Sequence, residues 1–132
     1  MATGDLKTIA AEPNPAKRAR QALEYAEQAA LKAGEACKAS DYDNCDSLLD
    51  ELQQSVELAD KSLEQTGVDP RRNPRHYKDA EIRTRKITRQ VDALRVYIHP
   101  DDIQHYETIY RRISEINDRL LAAIMGKGRK KK

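Results

Sequence analysis

The sequence predicts an all-α fold, an antiparallel up-down-up-down four-helix bundle made of two long helical hairpins. Three observations predict it. Apolar residues recur at alternating spacings of three and four through most of the chain, the helical period. Glycine and proline are scarce, five each in 132 residues, while charged residues make up 35%, a profile of helices throughout. The apolar stripes come in two pairs, each folded about a short polar turn.

Residues 1–13 read as a flexible N-terminal arm, with Leu6, Ile9 and Ala10 placed to pack lightly on the bundle. Asn14-Pro15 opens the first helix: Asn is a good cap, and Pro in the first turn gives up an N–H that has no helical partner there. The helix is expected to run to about Ala39 along Ala16, Ala19, Leu23, Ala26, Ala30, Ala33 and Cys37. Ser40 is the expected cap of the second helix. Asp41, Asp43 and Asp46 stand where the helix dipole favours negative charge. That helix spans roughly Asp41 to Thr66 along Cys45, Leu49, Leu52, Val56, Ala59 and Leu63, and Gly67 is its left-handed stop.

Folding the first hairpin (14–67) at Asp41 sets Cys37 opposite Cys45, Ala33 opposite Leu49 and Ala26 opposite Val56. Small residues mostly oppose large ones, which lets helices approach closely at interior density. The segment Ala36–Leu49, with Asp41-Tyr42 at its turn, resembles a single tetratricopeptide hairpin. The likeness stops there, because the helices are about twice too long and no repeat period follows.

Residues 68–72 are the linker, and Asn73-Pro74 repeats the opening signal for a hairpin over 73–126. Its stripes are Tyr77, Ala80, Thr84, Ile87, Val91, Leu94 and Ile98, then Ile103, Tyr106, Tyr110, Ile113, Asn117, Leu120 and Ile124, closed by Gly126. His99-Pro100-Asp101-Asp102 punctuates them. Thr84 opposite Asn117 is the one polar layer, suited to fixing register by a hydrogen bond.

The hairpins are expected to join through two faces. Ala22, Ala29 and Ala36 on the first helix pair with Ile109, Ile116 and Ala123 on the last. The acidic second helix lies along the basic third, bringing Glu57 to Arg83, Glu51 to Arg89 and Asp46 to Arg95.

Net charge is +2, but without the basic tail (127–132) it is −3, so the charge is local in character. Up-down topology gathers Lys17, Arg18, Arg20, Arg71, Arg72, Arg75, Lys78, Lys127, Arg129, Lys130, Lys131 and Lys132 at one pole, half of the 24 basic residues. Such a pole suits a polyanion: nucleic acid, an anionic surface or an acidic partner. The plainer reading, a solubilising tail and ordinary surface charge, is the expectation, since no aromatic interleaves with the tail for base stacking.

Little else carries chemistry. Cys37 and Cys45 are placed either to form a disulfide across the turn or to stay as two buried thiols, and without a known oxidising compartment the thiols are expected. His99, His105, Asp101 and Asp102 are a candidate surface metal set, but turn and surface roles are the expectation for them. No paired Glu-x-x-His motifs, glycine-rich phosphate loop or nucleophile elbow occurs. The chain is expected to be no enzyme and to need no cofactor or metal. Its expected work is protein–protein interaction or scaffolding with an unidentified protein partner, as monomer or homodimer; polyanion binding is the alternative. Met1 to Pro13 lacks the basic start and apolar core of a secretory signal, and no apolar run reaches membrane-spanning length. A cytoplasmic chain is the default, an exported one if a leader has been removed.

Overall fold

A computed structural model describes residues 5–126, and the regular elements among them are all helical. They are α1 (Leu6–Ala10), α2 (Pro15–Lys38), α3 (Tyr42–Gln65), α4 (Arg75–Ala93) and α5 (Ile103–Met125), with single 3-10 turns at Arg95–Tyr97 and Pro100–Asp102. The five helices pack against one another. No helix among the described residues is long and apolar enough to cross a membrane. The basic tail from Lys127 lies outside the described residues.

Most boundaries follow from local chemistry. Asn14 caps α2, its side chain accepting from the Lys17 N–H at 3.1 Å, and Pro15 occupies the first turn. Gly67 and Gly126 both adopt left-handed backbone, with φ of 70° and 68°, conformations glycine takes at little cost.

Four local expectations are corrected. Part of the N-terminal arm is helix α1, because Asp5 accepts from both the N–H and the hydroxyl of Thr8, at 3.0 and 3.1 Å, and Ile9 is buried. Five residues cannot hold a helix alone; packing on α2 and α3 holds this one. Ser40 does not cap α3. It ends α2 with a left-handed φ of 62°, while the Asp41 N–H reaches the Ala36 carbonyl at 2.8 Å and the Ser40 N–H the Cys37 carbonyl at 3.1 Å, the paired bonds of a Schellman motif. Asn73 does not cap α4 either; Pro74 holds that position, and Asn73 donates its N–H to the Asp69 carbonyl at 2.9 Å. Finally, α4 stops at Ala93 rather than reaching Ile98. Ile98 and His99 are extended, with ψ of 133° and 139°, and a residue before proline is pushed out of helical geometry.

The core is the four stripes. Leu23, Leu49, Leu52, Leu63, Val56, Ile87, Val91, Tyr106 and Ile113 are all fully buried. The Tyr106 hydroxyl donates to the Val91 carbonyl at 2.6 Å, which satisfies the one polar group its buried ring brings inside. The polar layer forms differently from expectation. Asn117 Nδ2 donates to the Glu81 carbonyl at 3.0 Å, while the buried Thr84 hydroxyl has no hydrogen-bond partner among the described residues.

The neighbours of the long helices also differ from the sequence expectation. Along α2, Arg18 donates to Ser62 at 2.8 Å and Tyr25 to Glu51 at 2.6 Å, so α3 runs back beside it. The flank of α4 then meets α2: Arg83 pairs with Glu27 at 3.1 Å, and Leu94 packs over Gly34. The flank of α5 meets α3, through His105 on Asp50 at 2.6 Å, Arg112 on Glu57 at 2.9 Å, and Arg119 on Asp60. Contact between α3 and α4 is marginal. The expected pairs Glu57–Arg83, Glu51–Arg89 and Asp46–Arg95 are therefore not formed; Arg95 instead reaches Asp92 and Glu107 and lies over the Tyr106 ring. The stripe of Ala22 and Ala29 shares an edge with Arg18 and Tyr25, and so turns to α3. Ile109 and Ile116 share theirs with His105, Arg112 and Arg119, and so turn to α3 as well. A seven-residue ladder of basic residues on α5, His105, Arg112 and Arg119, matches the acids of α3 as well as α4 does, and charge content alone does not choose between the two.

Candidate functional site

The residues expected to form a basic pole lie on elements that meet at one end. Arg18 links the start of α2 to the end of α3, donating to Ser62 at 2.8 Å and also to Gln65. Arg20 and Ala16 line a shallow depression together with Leu63 of α3 and His76 and Asp79 of α4. Arg71 in the linker lies against Gly126 at the end of α5, its Cδ 3.0 Å from where a Cβ would stand. The chain thus enters the tail carrying Lys127, Arg129, Lys130, Lys131 and Lys132 from this pole, and those five residues lie outside the described ones.

The members of this set differ in what they are free to bind. Arg18 is half-buried, with its guanidinium held by Ser62, Gln65 and the Glu12 carbonyl. Lys17 is exposed but 3.6 Å from Glu12. Arg20, Arg71, Arg72, Arg75 and Lys78 are exposed and enter no ion pair among the described residues. The first turns of α2 and α4 hold no acid, so helix N-termini add partial positive charge to that of the side chains. Asp69 is turned to its own backbone: its carboxylate accepts the Arg71 N–H at 2.9 Å, and that bond holds its pKa below the usual value.

The opposite end is acidic and contains the turn. Cys37 and Cys45 are joined there, with Cα atoms 5.3 Å apart, and both residues are buried. The expected pair of thiols is thus a bond. His99 Nδ1 accepts from the Asp101 N–H at 3.0 Å, capping the 3-10 turn, and its ring meets Tyr42 edge-on. The candidate metal set of His99, His105, Asp101 and Asp102 is not brought to one point. His105 turns away to α3, where its Nε2 lies 2.6 Å from Asp50 and 3.7 Å from Asp46. Asp46 has its pKa raised, first by burial and then by the neighbouring Asp50, Asp102 and Asp43 against the lowering effect of His105. The sequence reading missed Asp50 and its link to His105. The signal was present: His105 and Arg112 stand seven apart, as do Asp50 and Glu57.

Neither a family model, a curated protein nor a solved structure matches this chain.

Proposed function

We propose that the chain is a non-enzymatic interaction protein that docks an acidic protein partner on its basic pole. Its frame in this reading is an up-down-up-down four-helix bundle of two long antiparallel hairpins, laid side by side with α2 running parallel to α4 and α3 parallel to α5. The observation that carries the reading is the group Arg20, Arg71, Arg72, Arg75 and Lys78, exposed at one end without acidic partners among the described residues. Local stability does not call for it. Arg75 and Lys78 sit at the start of α4, where a cation opposes the helix dipole by roughly 0.3–1 kcal/mol. Cations kept at such positions are available to an outside anion, whose approach they accelerate and orient.

A second reading, binding of nucleic acid or another polyanionic surface, is favoured by the five cations Lys127, Arg129, Lys130, Lys131 and Lys132 that follow Gly126 in the sequence. One experiment separates the two. Fluorescence anisotropy is measured for an acidic polypeptide, a duplex and a single-stranded oligonucleotide, each across a salt series. The acidic polypeptide is expected to bind, to weaken by about tenfold or more between low and physiological salt, and to be lost in Arg71→Glu/Arg72→Glu/Arg75→Glu. Binding of the oligonucleotides alone selects the second reading. No binding of any probe at low ionic strength ends both.

A further inference from the structure

We propose that Asp46, Asp50 and His105 form a divalent transition-metal site, best suited to Zn2+, on the edge where α3 and α5 run together at the acidic pole. The donor set is mixed and comes from two helices. Asp46 and Asp50 are one turn apart on α3, so their carboxylates share a face, and α5 brings the imidazole between them. One ligand atom from each lies within 4.8 Å of the other two, with His105 Nε2 already 2.6 Å from Asp50 Oδ1 and 3.7 Å from Asp46 Oδ1. Zinc binds imidazole nitrogen and carboxylate oxygen at about 2.0–2.2 Å, which sets donor atoms roughly 3.3–3.5 Å apart around a tetrahedral ion. The observed separations bracket that spacing, and all three side chains are exposed enough to rotate into it. Water completes the coordination at such an open edge.

The scaffold beneath the set is held independently of it. Leu49 and Ile109, each next in its helix to one of the ligands or one turn from it, are fully buried, and the Arg112–Glu57 pair ties the same two helices one step further along. The charge balance points the same way. Asp43 and Asp102 stand close enough to act on Asp46 along with Asp50, and His105 is the only base among the groups that act on it most strongly. No Lys or Arg makes an ion pair with Asp46 or Asp50 among the described residues. Asp50, Asp102 and Asp43 gathered about Asp46, with one imidazole among them, leave a surplus of negative charge that a divalent cation neutralises, and the imidazole favours zinc-like ions over magnesium or calcium.

The test is calorimetric titration of the full chain, free of any affinity tag, with ZnCl2 and separately with MgCl2, and with Co2+ as an absorbance probe of imidazole ligation. The expected result is saturable binding of one Zn2+ per chain and none of Mg2+. His105→Ala and Asp50→Asn should each weaken it by about tenfold or more. His76→Ala and His99→Ala should leave it unchanged, with the circular dichroism of every variant confirming intact helices. Three outcomes overturn the proposal: no saturable Zn2+ binding by the wild-type chain, unchanged affinity in folded His105→Ala, or a loss that follows His99→Ala instead. Because the set lies at the pole opposite Arg71 and Arg75, none of these results bears on docking at the basic pole.

Discussion

Ser40 shows most directly how a single residue sets local geometry. It holds the left-handed position that ends α2, with φ of 62°, in a Schellman motif where glycine is the usual occupant. A residue with a Cβ is strained there by roughly 1–2 kcal/mol, while glycine would lose more backbone entropy on folding, about 0.4–1 kcal/mol. The strain outweighs the entropy. Ser40→Gly should therefore stabilise the protein by about 0.5–1 kcal/mol, read as a higher midpoint in urea at unchanged slope. The side chain loses little by its removal, since its one side-chain hydrogen bond among the described residues is the long one it accepts from the Tyr42 hydroxyl at 3.3 Å. A lower midpoint would mean that the turn does not hold Ser40 in this conformation. The sequence read Ser40 as the cap of α3, because serine before an acidic helix start is a good cap. Two local motifs competed for one residue, and the one satisfying two carbonyls prevailed.

At the scale of the element, the α2–α3 hairpin joins that turn to a cross-link. Cys37 and Cys45 are eight residues apart, with Cα atoms 5.3 Å from each other. Closing so short a loop removes about 2–3 kcal/mol of unfolded-chain entropy. Thermal unfolding with and without reductant should show that loss, and Cys37→Ala/Cys45→Ala should match the reduced protein to within the small cavity it creates. Two free thiols in freshly isolated, denatured protein would sink the bridge. The hairpin was the most legible part of the sequence. Its stripes from Ala19 to Cys37 and from Cys45 to Leu63 are buried without exception, because a three-four spacing leaves a helix only one way to turn. The ends were less legible. The sequence placed the end of α4 at Ile98, but α4 ends at Ala93 and gives way to a 3-10 turn over Arg95–Tyr97 before the backbone turns extended at Ile98 and His99 ahead of Pro100. It also took Leu6 to Ala10 for an arm, because a helix of five residues depends on burial of Ile9 and has no period of its own.

Across the whole molecule, the decisive question is which helix lies beside which, and here the sequence pointed the wrong way. Acid-rich α3 and base-rich α4 invited each other, yet α3 takes its cations from α5 and α4 gives Arg83 to Glu27 of α2. Heptad stripes define the buried face of each helix and do not say which flank turns left or right. Two arrangements of the same hairpins bury the same stripes, so the flanks decide. Buried Ile109 and Ile116, on the edge of α5 that carries Arg112, place apolar area on the α3 side, and apolar burial outweighs half-exposed ion pairs by several-fold. The two arrangements differ in a measurable coupling. In a double-mutant cycle, Glu57→Ala with Arg112→Ala should show an interaction of about 0.2–1 kcal/mol, the range for partly exposed pairs. Glu57→Ala with Arg83→Ala should be additive, since those residues are not in contact and share no partner. Raising the salt concentration should shrink the first coupling and leave the second at zero. A coupling found at Arg83 and absent at Arg112 would restore the arrangement read from charge content. It would also part His105 from Asp50, since α5 would then no longer run beside α3 at the acidic pole.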